Sequence, residues 1–357
     1  LAHLTEDRAV KKWIVVTLIL IGGVVAVTQV VQAQSSDRAG SVGALFLKMD
    51  VSPRVAGMGK AYVGISDDIS GIFLNPVSIV DLKGKQVFLS EMEYMVDMRA
   101  MAGVFSFPLP ENLGGRMAVH YTGFFSGDMK RTTALDIDGD KTNENFTWND
   151  IAVGVTYARA FTDKFSVGVG AKYVRTEVLE LYSQTVAFDV GTMYKTGFRN
   201  LRLGMSTTNF GPDMKFRGSY GNTYMSSIWL VTVGEEYGYY ALPISFQVGL
   251  ADELFNTEPI RLTAAIDYSH PNDLAERIHL GAEFAYAERF FLRGGFFMDM
   301  DKSDIPDPVT PNDDALDRYM EFRFGAGIKW QNLGVDYAWQ SLENLESVHR
   351  IGLSYGF

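Results

Sequence analysis

The acidic pair Asp67-Asp68 and the guanidinium of Arg54 upstream are the first residues in this chain whose types and spacing could do chemistry. Neighbouring carboxylates can share a proton, hold a cation or anchor an arginine. In a buried segment each such charge needs an opposite partner, because an unpaired buried ion costs several kcal/mol. Strand-like segments farther along offer Arg261, Asp267, Glu283, Arg323 and Lys329 on one face. Arg54, Asp67 and Asp68 are therefore read as structural ties to a surrounding wall, not as a substrate site.

Other constellations are weaker. Asp136-Ile137-Asp138-Gly139-Asp140, with Glu144 beyond, has the oxygen ligands of a calcium loop. Its glycine falls fourth where an EF-hand needs it sixth, so the reading is an ordinary solvated loop. The five histidines, His3, His120, His270, His279 and His349, form no HExxH or paired spacing, and no GxSxG appears. His279 and Glu283 share a strand face two steps apart, which reads as lumenal polarity. Gly57-Met58-Gly59 lacks the Lys-Ser/Thr of a phosphate loop. No enzyme activity, metal or cofactor is expected.

The elements that must position these residues begin with GALFLKMDVSPRVAGMGKAYVGISDDISGIFLNP, Gly43 to Pro76. Its glycines allow a tight turn. Asp67-Asp68 precede the short apolar run Ile69–Leu74, where a helix favours acidic residues at its positive end. Asn75-Pro76 ends that run, since proline forces the preceding residue to be extended. The spacing predicts a compact loop, short helix and loop. Gly43, Phe46, Lys48, Arg54, Gly57, Met58, Gly59, Asp67, Asp68, Asn75 and Pro76 carry this motif.

Before it, Arg8, Lys11 and Lys12 lead into the apolar run Trp13–Val27, and Val31-Gln32-Ala33 fits a cleavage site. Residues 1–33 read as a secretory signal peptide, with an uncleaved anchor as the alternative. The formal charge of −11 argues against nucleic acid as a partner. The absence of cysteine excludes disulfides and thiolate metal sites.

From residue 85 the pattern has period two. In Arg277–Ala287, Ile278, Leu280, Ala282, Phe284 and Tyr286 share one face, and His279, Gly281, Glu283 and Ala285 the other. About fourteen such strands can be placed. Balanced hydropathy fits a soluble sandwich, but a membrane barrel dilutes its apolar signal in the same way. Loop length discriminates better. Even-numbered connections such as Thr162-Asp163-Lys164 and Gln331-Asn332 are tight, whereas the three longest, near 126–147, 210–240 and 301–317, are odd. That asymmetry belongs to outer-membrane barrels, whose periplasmic turns are short.

Aromatic residues add to this reading. Tyr157, Phe161, Phe165, Tyr194, Phe198, Phe290, Phe291 and Trp330 gather beside the tight turns, at headgroup depth. Arg350–Phe357 ends an apolar alternating strand on Tyr355 and Phe357, which read as a barrel-assembly signal. Tyr220, Tyr224, Trp229, Tyr237, Tyr239 and Tyr240 crowd one long loop and are candidate partner contacts.

GALFLK, PRVAGMGKAYVG, DD and NP before the first strand resemble the PorV/PorQ family of outer-membrane proteins, themselves similar to FadL-type fatty-acid transporters. Val77-Ser78 stands where the usual family form has Ala and a small residue. The resemblance implies an all-β, transmembrane antiparallel barrel of about fourteen strands, residues 85–357, with segment 34–84 plugging the lumen. It also implies a bacterial outer-membrane location and a lipid environment. The implied role is assisting protein secretion or surface attachment of the type IX kind, with exported cargo proteins and secretion-system components as partners. The alternative is FadL-type transport of hydrophobic small molecules such as fatty acids.

Overall fold

The computed structural model describes residues 40–132, 144–218, 222–225, 230–233, 237–300, 320–342 and 345–357. The leader, Asp136, Asp138, Asp140, Tyr220, Trp229 and the 301–317 loop lie outside them. Fourteen strands of the described residues close into one barrel. They are β1 Gln86–Glu93, β2 Arg99–Pro108, β3 Arg116–Phe125, β4 Trp148–Ala160, β5 Phe165–Val178, β6 Leu181–Lys195 and β7 Arg202–Phe210. The second half comprises β8 Ser245–Thr257, β9 Ile260–Pro271, β10 Arg277–Tyr286, β11 Phe290–Asp299, β12 Met320–Trp330, β13 Leu333–Leu342 and β14 Leu345–Gly356. Each pairs antiparallel with the next, and β1 closes on β14 with Gln86 opposite Gly356 and Glu93 opposite His349. Closure satisfies every edge, which a sheet in lipid requires.

Alternation decides which face is which. Leu89, Phe105, Val119, Val155, Val169, Val190, Met205, Leu250, Ile266, Phe284, Leu292, Phe324, Val335 and Ile351, one from each strand in order, all point outward and are exposed. An apolar residue bared on every strand is untenable in water, where soluble monomers expose only patches of a few hundred Å². Most inward positions are small or polar, among them Ala102, Ala118, Ser106, Thr156, Ala187 and Ala265, and with a few larger residues such as Phe88 and Met92 they are buried. The buried core therefore lies inside the barrel.

One strand departs from the spacing. The alternation predicts the eighth strand over 241–252, whereas β8 runs Ser245–Thr257. Pro243 lacks a ladder donor, so pairing begins after it. A bulge between Glu253 and Phe255 then breaks the period while the strand continues.

What fills the lumen is not one short helix but four turns: Leu45–Lys48, Pro53–Gly57, Ile69–Phe73 and Pro76–Ile79. Ser52 caps the second through the Val55 N–H, with Pro53 at its first position. Asp68 caps the third through the Ser70 N–H, and Asn75 caps the fourth through the Val77 N–H. Asn75-Pro76 thus both ends one turn and starts another. Gly59, at φ +60°, makes the reversal after Pro53–Gly57.

Candidate functional site

The lumenal segment runs the full height of the barrel. Near its start the Gly43 N–H donates to the Ala241 carbonyl at 3.0 Å, beside the long loops. At its end the Leu82 and Gly84 carbonyls accept from Arg116, at 2.8 and 2.6 Å, beside the short turns. Apolar side chains hold it in layers. Phe46 packs with Ala152, Val174 and Leu242, and Val51 with Met92 and Ala100. Tyr62, Val63 and Ile65 pack with Ala251 and Ala265, and Ile69, Ile72 and Ile79 with Phe88 and Val104.

Between these layers the plug backbone lies directly on wall glycines. A Cβ on Gly204 would fall 2.0 Å from the Val63 carbonyl oxygen, and one on Gly281 2.3 Å from that of Met58. A Cβ on Gly295 would likewise run into the Gly59 nitrogen, one on Gly168 into the Pro76 carbonyl carbon and one on Gly191 into the Asn75 side chain. No other residue type permits that approach, so the wall is cut to the plug's shape.

Three polar locks fasten it. In the first, Arg54 donates to both oxygens of Glu283, Nε to Oε2 at 2.8 Å and Nη2 to Oε1 at 2.9 Å. Arg293 and Arg261 also donate to Glu283, at 2.7 and 3.3 Å, and Arg293 continues to Asp336 at 2.5 Å. In the second, Asp50 takes Lys60 at 2.9 Å and Arg323 at 2.5 Å, while Arg350 donates to its backbone carbonyl at 2.7 Å. Burial pushes the Asp50 carboxyl up, but Lys60, Arg323 and Arg350 outweigh that and hold it below the ordinary carboxylate range. In the third, Asp267 accepts from the Tyr62 and Val63 N–H groups at 2.5 and 2.7 Å. Nearer the long loops, Lys48 reaches Asp273 at 2.7 Å. Burial draws the Lys48 ammonium down from the usual lysine value, against the pull of Asp273.

The expected charges therefore part company. Arg54 meets the wall. Among the described residues Asp67 meets Arg54 alone, at 3.5 Å, and Asp68 accepts from Tyr62 at 2.8 Å and caps Ser70, so both carboxylates turn to partners within the plug. Of the wall residues expected to pair with the plug, Glu283 takes Arg54, Arg323 takes Asp50 and Asp267 takes plug backbone N–H groups, whereas Arg261 bonds its wall neighbours Glu283 and Glu288. Lys329 stands exposed at the rim, with no plug partner among the described residues. His279 is not coupled to Glu283. Its Nδ1 bonds the Gly59 carbonyl at 2.9 Å, so in the neutral ring Nε2 accepts from the Ser269 hydroxyl, also at 2.9 Å.

Asp50, Lys60, Arg293, Asp336 and Arg350 were not singled out by the sequence. Inward parity marks the three wall residues, but nothing local marks their partners. A buried pair, Lys172 with Asp189 at 2.8 Å, is a further tie of the same kind within the wall.

A cavity of about 40 Å³ lies beside the plug, lined by Lys48, Asp50, Ser52, Lys60, Asn209 and Gln247 among others. Leu47, Val51, Val55, Phe73 and Leu74 share its walls, which are mixed polar and apolar, and it has room for a few water molecules. An apolar guest needs much more, since benzene occupies a dry cavity of roughly 150 Å³.

Above the barrel, Phe216 gathers Trp148, Tyr237 and Tyr240 at 6.4, 6.3 and 5.7 Å. Tyr240 is not on display: its ring lies on Gly43 and packs against the Phe46 cluster. Tyr239 is 72% exposed, under the Lys215 ammonium at 5.1 Å. Tyr224 lies in the short strand Asn222–Met225. Glu144 pairs with Arg131 at 2.9 Å. Tyr355 and Phe357 contact edge to face at 4.9 Å, and the Phe357 N–H donates to the Lys85 carbonyl at 2.9 Å.

No protein-family model matches the chain. No curated protein matches it either. Solved structures do. The toluene transporter TbuX of Ralstonia pickettii superposes with a TM-score of 0.54 at 11% identity, over 86% of this chain and 98% of that one. The monoaromatic hydrocarbon channel CymD gives 0.53 at 13% identity, over 86% and 97%. A FadL homologue of Pseudomonas aeruginosa gives 0.51 at 13% identity, over 92% and 99%. Such identities speak to fold. Together with its closed sheet and lipid-seeking exterior, they give this chain the FadL-like β-barrel fold of outer-membrane proteins.

Proposed function

We propose that this barrel is a non-enzymatic, sealed outer-membrane protein that works through its outer loops, assisting secretion or surface attachment of exported proteins in the manner of the PorV/PorQ family. The observation that carries this reading is the seating of the plug. Its backbone rests on wall glycines, two ion-pair clusters and the Asp267 carboxylate hold it, and the neighbouring cavity of about 40 Å³ is too small for an apolar guest. A conduit would need a lumen that a substrate can enter. What remains available to a partner is the loop surface over Trp148, Phe216 and Tyr239, and aromatic side chains are what interfaces use most.

A second reading, a transporter of hydrophobic small molecules such as fatty acids, draws on the fold shared with the toluene transporter and the hydrocarbon channel. It requires the plug to shift. Deleting the gene and assaying both surface-protein export and growth on fatty acids separates the two. Export should fall with uptake unchanged. Loss of uptake with normal export would replace the first reading by the second.

A further inference from the structure

The plug is not held equally along its length. Over residues 50–80 Asp67 alone is exposed, whereas over 43–49 Phe46 alone is buried and Leu45 is 53% exposed. What grips this first stretch is chiefly an outer loop. Val42 bridges Ala241 in parallel, and the Gly43 N–H donates to the Ala241 carbonyl at 3.0 Å. The Tyr240 ring covers Gly43 so closely that no side chain would fit there. Phe46 packs on Met214, Tyr240 and Leu242 of the same loop as well as on the wall.

That loop has two faces. Met214 pairs with Tyr240 and Lys215 with Tyr239, and successive residues of a strand point to opposite sides. The Met214–Tyr240 face holds Phe46, and the Lys215–Tyr239 face carries the exposed Tyr239 ring. Arg217 and Tyr182 exchange both backbone bonds, at 2.7 and 2.9 Å, so the same ladder is fastened to β6. Wall, loop and plug are thus joined in one hydrogen-bonded series. Between the two gripped residues, Ala44 sits at φ +50°. A residue with a Cβ stays in that left-handed region only while its surroundings compel it.

We propose that the loop ladder at 239–241 is a latch: displacing its outer face frees residues 43–47 and leaves the plug from Asp50 onward in place. This inference rests on the reading that partners dock on the outer loops, and it supplies what docking does. A partner that draws Lys215 and Tyr239 outward lifts Tyr240 off Gly43 and Phe46, because the two faces share one ladder. Ala44 then relaxes. Release stops at Lys48, which Asp273 holds at 2.7 Å. It takes Leu47 out of the wall of the cavity of about 40 Å³ and opens that cavity toward the loops.

Amide hydrogen exchange on the full barrel in neutral detergent tests the coupling without any partner. Tyr240→Ala should speed exchange at residues 43–47 about tenfold and leave 50–80 unchanged. Coupling is reciprocal, so Phe46→Ala should speed exchange at 214–217 and 239–241. Wild-type rates at 43–47 in Tyr240→Ala overturn the latch. Equal acceleration from 43 to 80 overturns it as well, since the plug would then move as one body. The chain has no cysteine, so Val42→Cys/Ala241→Cys carries its only thiols, on bridged neighbours that a disulfide can span. Should Tyr240→Ala not fold, this pair decides: the disulfide should slow exchange at 43–47 and its reduction should restore the faster rate, and equal rates overturn the latch. In cells the cross-linked pair should export surface proteins severalfold less than either single variant. Normal export there, where deleting the gene lowers it, overturns the latch as the consequence of docking. Normal export after deletion overturns the docking reading instead, while the exchange rates still decide the latch.

Discussion

Arg54 and Glu283, 229 residues apart in the chain, meet in a two-point ion pair of 2.8 and 2.9 Å in the barrel lumen. One comes from the plug and the other from β10, so the contact joins the two parts of the molecule. Arg293 and Arg261 converge on the same carboxylate. Removing that carboxylate would leave three guanidinium groups crowded together. Glu283→Gln should therefore cost roughly 3–5 kcal/mol, the usual penalty for breaking a buried pair from one side. Urea unfolding of the barrel measures it, and an unchanged midpoint would show that the pair contributes nothing.

The glycine seating predicts a change in conductance. At Gly204 a side chain would enter the space of the Val63 carbonyl, whereas at Gly356 nothing lies within 4 Å. Gly204→Val should displace the plug and raise single-channel conductance in a planar bilayer. Gly356→Ala should leave the barrel closed. If Gly204→Val stays as closed as wild type, the plug does not depend on this seat.

Acid should not open the Asp50 lock. Its folded-state carboxyl is held below the ordinary value of 3.8 by Lys60, Arg323 and Arg350, against burial. A depressed carboxylate stabilises the fold fully above the unfolded value and loses that share only as the pH falls below it. Plug protection, read by protease access from the periplasmic side, should match at pH 7 and pH 5. Opening between those values would assign the switch to another group.

Lipid contact can be tested at mid-height. Leu250 points outward on β8, opposite Leu203 and Ile266, and is exposed. Leu250→Arg should cost about 2–4 kcal/mol in a bilayer. In water the same change would be nearly neutral, so refolding yields in vesicles report which solvent the strand meets.

The proposed loop function places weight on Tyr239. Tyr239→Ala should lower surface-protein export severalfold and leave barrel stability within about 0.5 kcal/mol, as an exposed substitution does. Tyr240→Ala should behave differently and loosen the plug, since its ring lies on Gly43. Equal effects at both positions would undo the division between display and packing.

Sequence alone determined the features that periodicity encodes. A two-residue repeat assigns every side chain of β10 to one face or the other, and turn length sorts the barrel's two ends, so strand number and sidedness were legible before any contact was known. The Asp68 cap and the Asn75-Pro76 break were equally local. Tertiary structure alone decided the pairings. Asp50 could have met any inward cation, and only closure of the sheet sets Arg323 and Arg350 beside it. Asp67 turned back to Arg54, because the path of the plug through the lumen fixes which charges come within reach. The wall glycines carry the same lesson. Their absent side chains have no periodicity to read, and their meaning appears only when another backbone occupies the space.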